Sequence, residues 1–266
     1  MKIGGKNLKL VSKTMGLGNH KIVFLRHGES QWNLENRFTG WTDIDLSEKG
    51  IKEAKNAGIL LKKEGFDFNF VFTSVLKRAV HTMELCLGLM KIVNIPTKYD
   101  WRLNERHYGS LQGLNKSEMA KKYGDKQVLL WRRSYKTAPP MLTSNDKRHP
   151  KFDPKYQNLE ESKLPSGESL KDTVNRVIPL WENTILPKIN SGRKILIVAH
   201  GNSIRAIVKI IDRISNDDII DLNIPTGTPL IYELDNKLNT TKKYYLGDPK
   251  DIKKNVGNVI NQGKSN

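Results

Sequence analysis

Ile22-Val23-Phe24-Leu25-Arg26-His27-Gly28-Glu29-Ser30 is the stretch on which the fold is read. Four apolar residues run without interruption and stop at Arg26-His27-Gly28, the pattern of a buried strand closed by a polar turn. A second stretch repeats it, with Ile195-Leu196-Ile197-Val198-Ala199 leading into His200-Gly201-Asn202-Ser203. A third, Phe70-Val71-Phe72, breaks at Thr73-Ser74. Helical patterns lie between them. Ser47 caps a predicted helix over 47–64, with Ile51, Ala54, Gly58 and Leu61 on one face and Gly65 at its end. A second helix is expected from about Val75 to Met90. A third carries Leu170, Val174, Val177, Trp181 and Ile185 behind a cap at Ser166, with Pro179 kinking or rearranging it. A fourth opens with Ile204, Ile207, Val208 and Ile211. Tyr99-Asp100-Trp101 reads as short and extended, and 229–234 and 244–246 as late strands. Strands alternating with helices predict an α/β fold, a mostly parallel central sheet covered by helices on both faces.

The 266 residues are 37% hydrophobic and 27% charged, enough for a sizeable core and unlike a disordered or fibrous chain. Cys86 is the single cysteine, which excludes an intrachain disulfide scaffold. No apolar run has the length of a membrane span, and the start lacks the apolar stretch of a secretory signal. A cytoplasmic location away from membranes is therefore expected. The net charge is +17, with acids interspersed among the bases. Such an excess favours anionic ligands. A basic nucleic-acid-binding module is the rival from another class, but no nucleic-acid motif accompanies the charge, and no nucleic-acid partner is expected. Residues 1–20 read as a flexible basic extension, 21–247 as one domain and 248–266 as a flexible tail. The polar, aperiodic segment 138–166 has the length and composition of a lid.

The two strand-ending histidines carry the chemistry. Ligands of open α/β sheets bind beyond the carboxyl ends of the strands. If the two strands are neighbours, both imidazoles face one site. No His-x₃-His, no CxxC and no carboxylate at ligand spacing accompanies them, so a metal site is the weaker reading. Arginine beside histidine at a turn that opens a helix suits anions, because helix-start N–H groups and guanidiniums both bind phosphate. A neutral imidazole is a competent nucleophile near neutral pH. The composite suggests phosphoryl transfer through a phosphohistidine, with either ring as nucleophile. Arg78, in the first turn after a strand, and the tandem Arg132-Arg133 are further candidate cations.

Leu25-Arg26-His27-Gly28-Glu29-Ser30-Gln31-Trp32-Asn33 and Asn36-Arg37-Phe38-Thr39-Gly40-Trp41 resemble the entry motif of the histidine phosphatase superfamily. More narrowly, they resemble its 2,3-bisphosphoglycerate-dependent phosphoglycerate mutases. Leu103-Asn104-Glu105-Arg106-His107-Tyr108-Gly109-Ser110-Leu111-Gln112-Gly113-Leu114-Asn115-Lys116, Trp131-Arg132-Arg133, Ala199-His200-Gly201-Asn202-Ser203 and Asn223-Ile224-Pro225-Thr226-Gly227 fit the same series. The resemblance implies a phosphoglycerate mutase-like fold and interconversion of 3- and 2-phosphoglycerate in glycolysis and gluconeogenesis, primed by 2,3-bisphosphoglycerate without a metal. His27 would be phosphorylated, Glu105 would be the general acid and base, and His200, Arg26, Arg78 and Asn33 would hold the transferring group. Gly28, Glu29, Ser30, Gln31, Trp32, Thr39, Gly40, Arg106, His107, Tyr108, Lys116, Arg132, Arg133, Gly201 and Asn202 would complete the substrate site. The resemblance also implies a homodimer or homotetramer, and it leaves a bisphosphoglycerate synthase or phosphatase of the same superfamily as the alternative. Segment 138–166 and the tail are the candidates for keeping water out.

Overall fold

The computed structural model describes residues 20–262; the extension expected over 1–20 lies outside them but for His20. Strand β1 (His20–Arg26) leads to a single helical turn, α1 (Gln31–Leu34), then α2 (Glu48–Lys63), β2 (Phe70–Thr73), α3 (Lys77–Met90) and β3 (Thr97–Tyr99). Helices α4 (Lys116–Tyr123) and α5 (Asp125–Arg133) follow. After a long irregular stretch come α6 (Leu170–Leu180), α7 (Leu186–Asn190), β4 (Ile195–Ala199), α8 (Gly201–Ile211), β5 (Leu230–Leu234), β6 (Thr240–Tyr245) and α9 (Pro249–Asn261). The six strands form one sheet in the order β3-β2-β4-β1-β5-β6. The first four are mutually parallel, and β5 and β6 add an antiparallel edge. This is the α/β, mostly parallel architecture that the strand patterns predict, and the phosphoglycerate mutase-like fold that the resemblance implies.

Alternation along the strands divides the core. Ile22, Phe24, Ile195 and Ile197 point to a face covered by α6 to α8, where Val174, Val177, Trp181, Ile204 and Ile207 pack on them. Val23, Leu25, Leu196 and Val198 point to the other face, against Ala57, Leu61, Met83 and Leu87 of α2 and α3. Period-two strands meet period-3.6 helices on both sides, so every central strand is buried twice. A smaller core of Phe38, Leu111, Val128 and Trp131 carries α4 and α5 beyond the strand ends.

Several local expectations change. Ser169, not Ser166, caps α6: its hydroxyl accepts the Asp172 N–H while Asp172 accepts the Ser169 N–H, a reciprocal box that an acid at the third helical position makes possible. Pro179 marks a rearrangement, since α6 passes into a π-helical turn at Trp181–Ile185. Only Thr97–Tyr99 is extended beside β2; Asp100 caps a 3-10 turn at Trp101–Leu103. Strand β6 starts at Thr240 and pairs with β5 as a hairpin. The segment expected to be a flexible tail forms α9, with Asp248 accepting the Lys250 N–H, Pro249 in the first turn and Val259 buried.

The turn after β1 lies backbone to backbone against the start of α2. A Cβ on Gly28 would stand 2.2 Å from the Gly50 carbonyl oxygen, and one on Gly50 would stand 2.0 Å from that of Glu29. Neither neighbour is a side-chain end that could swing away. Gly50→Ala is therefore expected to lower stability by about 1–3 kcal/mol in urea unfolding. An unchanged midpoint would show that the two segments are not in contact.

Candidate active site

Parallel pairing of β1 with β4 sets Arg26 opposite Ala199, so His27 and His200 leave the sheet side by side. Their ring centroids are 4.9 Å apart, and both side chains are buried. The Nδ1 of His27 donates to the Gly28 carbonyl at 2.6 Å, which leaves Nε2 with its lone pair. His200 Nε2 meets the Ser74 hydroxyl at 2.7 Å. Burial, then Arg78 and Arg26, holds His27 well below the ordinary histidine value. His200 is held down in the same way by burial, Arg78 and His27. Both rings are thus neutral near pH 7.

Cations surround them. The cleft at these strand ends is lined by Arg26, Arg37, Arg78, Lys116, Arg132, Arg133 and Arg205, and by the carboxylate of Glu105. Arg26 donates to the Ile224 carbonyl, and Arg78 to those of Gly40 and Thr42. The Nε groups of Arg26 and Arg78, and Nδ1 of His200, have no hydrogen-bond partner among the described residues. Buried unpaired guanidinium donors of this kind fit anionic oxygens. Asn33 lines the cleft with its carbonyl already accepting the Ser30 N–H. Glu105 Oε1 accepts the N–H groups of Arg106 and Asn202, at 2.8 and 3.0 Å. Burial works to raise its pKa, but Arg26, those two N–H groups and Arg78 outweigh it and hold the carboxyl below the usual range.

A second group of cations stands further along. Burial, reinforced by Arg132, Arg26 and Arg133, pushes the Lys116 amine well down. Arg132 donates to the carbonyls of Val259 and Gln262, and Arg133 to that of Val259. The end of α9 thereby crosses this part of the cleft, and Val259 and Gln262 line it.

Thr39, Gly40, Tyr108, Gly201 and Asn202 also line the cleft, as expected. Eight expected site residues do not, His200 among them, its buried ring lying behind His27 against Ser74. Glu29 is turned toward Ser47 and Lys49, Gln31 is exposed and bonded to Glu35, and Ser30 caps α1. Trp32 lies against Gly113, and Gly28 supports the turn by donating to Thr82. Arg106 is buried behind the cleft against Tyr108 and the Arg132 carbonyl, and His107 packs edge-on to Trp41. Segment 138–166 does not line the cleft either; it packs behind the Glu105 loop, with Tyr156 accepting from Asn104 and its ring tilted against Trp41. The tail was expected to shield the site, though not as a helix; Ser74 and Arg205 were not expected. The signal for Arg205 is an arginine inside a helix whose residues Gly201 to Val208 are all buried. No helix of the described residues is long and apolar enough to cross a membrane.

Fold and site together define an α/β enzyme with paired histidines at the strand ends. The family model of the histidine phosphatase superfamily (branch 1) matches residues 22–147 and 141–246, and the chain belongs to that superfamily. Its members carry out phosphoryl-transfer or phosphatase chemistry. Among solved structures, the chain is similar to mycobacterial hydrolase 1, with TM-score 0.65 and 22% identity over 85% of this chain and 97% of that one. A mycobacterial glucosyl-3-phosphoglycerate phosphatase complexed with VO3 gives 0.64 and 22%, over 85% and 97%. Bacillus stearothermophilus YhfR gives 0.62 and 23%, over 83% and 93%. At these identities the likeness is one of fold.

The neutral rings lead to a direct check. Nitrogen-15 NMR is expected to show His27 as the Nδ1–H tautomer, still uncharged at pH 6.5, the unperturbed histidine value. Because folding depresses these values, the unfolded chain binds protons more readily. The two rings therefore contribute stability above pH 6.5 that is lost as pH falls through their folded values. An imidazolium signal for His27 at pH 6.5 would contradict the arrangement.

Proposed function

We propose that the protein is a phosphoglycerate mutase that works through a phosphohistidine at His27 and a 2,3-bisphosphoglycerate intermediate. The observation that carries this reading is the pair of cationic subsites in one cleft. One, with Arg26 and Arg78, surrounds His27 and His200; the other, with Lys116, Arg132 and Arg133, lies beneath the end of α9. Such a cleft suits a small ligand with two separated anionic groups. It also has a cover against water, which a mutase needs while its bisphosphate reorients.

The steps follow from the residues. Phosphorylated His27 donates first: Glu105 takes the proton of the free substrate hydroxyl, that oxygen attacks phosphorus, and the P–N bond breaks to give the bisphosphate. After the bisphosphate reorients, His27 Nε2 attacks its other phosphorus, the P–O bond breaks, and the departing oxygen takes the proton back from Glu105. Arg26, Arg78, Asn33 and His200 hold the equatorial oxygens, where charge accumulates. Glu105 is a carboxylate in the ligand-free cleft, held so by Arg26, then by the Arg106 and Asn202 N–H groups and Arg78. A phosphate dianion placed on those guanidiniums offsets their charge and raises the carboxyl toward the protonated form that donation requires. The guanidiniums supply the charge neutralisation, so chelators are expected to leave turnover unchanged.

Two measurements test this reading. After priming with 2,3-bisphosphoglycerate, interconversion of 3- and 2-phosphoglycerate is expected to outpace phosphate release. Release far exceeding interconversion would make the protein a phosphatase of the same superfamily. Glu105→Gln is expected to lower kcat by about 10²-fold with ligand affinity nearly unchanged. A large loss of affinity at unchanged kcat would remove Glu105 from proton transfer.

A further inference from the structure

Glu105 sits in a loop with no regular secondary structure of its own, yet its carboxyl is the one group in the cleft that must be placed to within hydrogen-bond tolerance. What fixes that loop comes from α6. Arg176, on the second turn of α6, is nearly buried and points back at the backbone of residues 102–105. Its Nη1 donates to the Arg102 carbonyl, and its Nη2 donates to the carbonyls of Asn104 and Glu105, at 3.1 and 2.9 Å. The guanidinium is held in turn by Glu168, with Nε to Oε1 at 2.6 Å and Nη2 to Oε2 at 3.0 Å. Glu168 grips the far side of the same loop. Its Oε2 accepts the His107 N–H at 2.7 Å, and its own N–H donates to the His107 carbonyl at 2.8 Å. From the opposite side the Trp41 indole N–H donates to the Glu105 carbonyl at 2.7 Å.

Neither Glu168 nor Arg176 lines the cleft, so neither is a catalytic residue. The pair is not explained as surface electrostatics, since both side chains are buried and every hydrogen bond of the guanidinium is to this loop or to Glu168, with its face toward the Trp41 ring. A planar fork that reaches three carbonyl acceptors of one loop is a task for arginine and not for lysine. Glu168 also lies at the junction where the long segment 138–166 enters α6, directly before the Ser169 cap. Any displacement of that segment bears on the peptide that carries Glu105.

We infer that Glu168 and Arg176 form a clamp that positions the Glu105 carboxyl, coupling the anchorage of segment 138–166 to proton transfer in the cleft. The catalytic part of this inference rests on the proposed role of Glu105; the structural part does not. The two are separated by following the amide proton of Asn202, which donates to Glu105 at 3.0 Å and reports where that carboxyl sits without any turnover.

The test is Arg176→Lys, which keeps the charge beside Glu168 and removes the fork. In the ligand-free protein the Asn202 amide resonance is expected to move upfield as its bond to Glu105 loosens. With 3-phosphoglycerate as substrate, kcat is expected to fall about tenfold, with KM changed less than about threefold. Glu168→Gln is isosteric and keeps an acceptor for the His107 N–H. It is expected to give the same pattern in smaller measure, and it serves if Arg176→Lys does not fold by its melting curve. An unmoved Asn202 resonance in a folded variant overturns the clamp, whatever happens to turnover. A moved resonance with unchanged kcat overturns instead the reading of Glu105 as proton carrier. A proportional loss in KM alone would place the pair in ligand binding and overturn the positioning role.

Discussion

The parallel pairing of β1 with β4 is the constraint on which the site depends. It sets Arg26 against Ala199, so His27 and His200 each stand one residue past the sheet. The pairing itself is held by apolar burial on both faces, from Ile22 and Phe24 on one side and Val23 and Leu25 on the other. A slip by one residue would exchange those faces, so the register that places His27 beside His200 is enforced by the whole core. The strand ends also supply what the rings need. The His27 N–H is satisfied by the Ala199 carbonyl and the Gly28 N–H by Thr82, leaving the imidazole free of structural duty except for the contact that sets its tautomer.

Placing so many guanidiniums in a buried cleft is costly unless their donors are paired. Backbone carbonyls pair many of them: Ile224 for Arg26, Gly40 and Thr42 for Arg78, Arg133 and Ile219 for Arg205. These carbonyls neutralise no charge. The cleft therefore keeps a net positive field, moderated by Glu105, and its neutral histidines are a consequence of that field as well as of burial. The same field makes the arriving anion the missing counter-charge. Arg132 and Arg133 meet the carbonyl end of α9, a helix terminus whose dipole is negative.

Regular periodicity made the sheet and its covering helices readable, because strand and helix periods survive in the sequence wherever an element buries one face or two. Ile195 to Ala199 is bounded in the structure as its apolar run suggests. The site was readable where a residue lies next to such a run, as His27, His200 and Arg78 do. Glu105 had no local signal, since its place is set by Arg176 and Trp41 from distant parts of the chain, and only the family resemblance singled it out. Glu168 and Arg176 were missed for a related reason: charged residues beside an apolar stripe read as a solvent face, and no period shows that they are buried against a loop. Helix α9 had a signal that passed unused. Asp248-Pro249 followed by Ile252, Val256 and Val259 is a capped helix with one apolar face.

The central claim is that one ring nitrogen of His27 carries a phosphoryl group during turnover. Mass analysis after brief exposure to 2,3-bisphosphoglycerate, with peptides mapped under neutral conditions, addresses it without assuming any later step. The expected result is one acid-labile phosphate on the peptide containing His27, absent from His27→Ala. A phosphate on His200, or none on either histidine while the protein turns over phosphoglycerate, would contradict it.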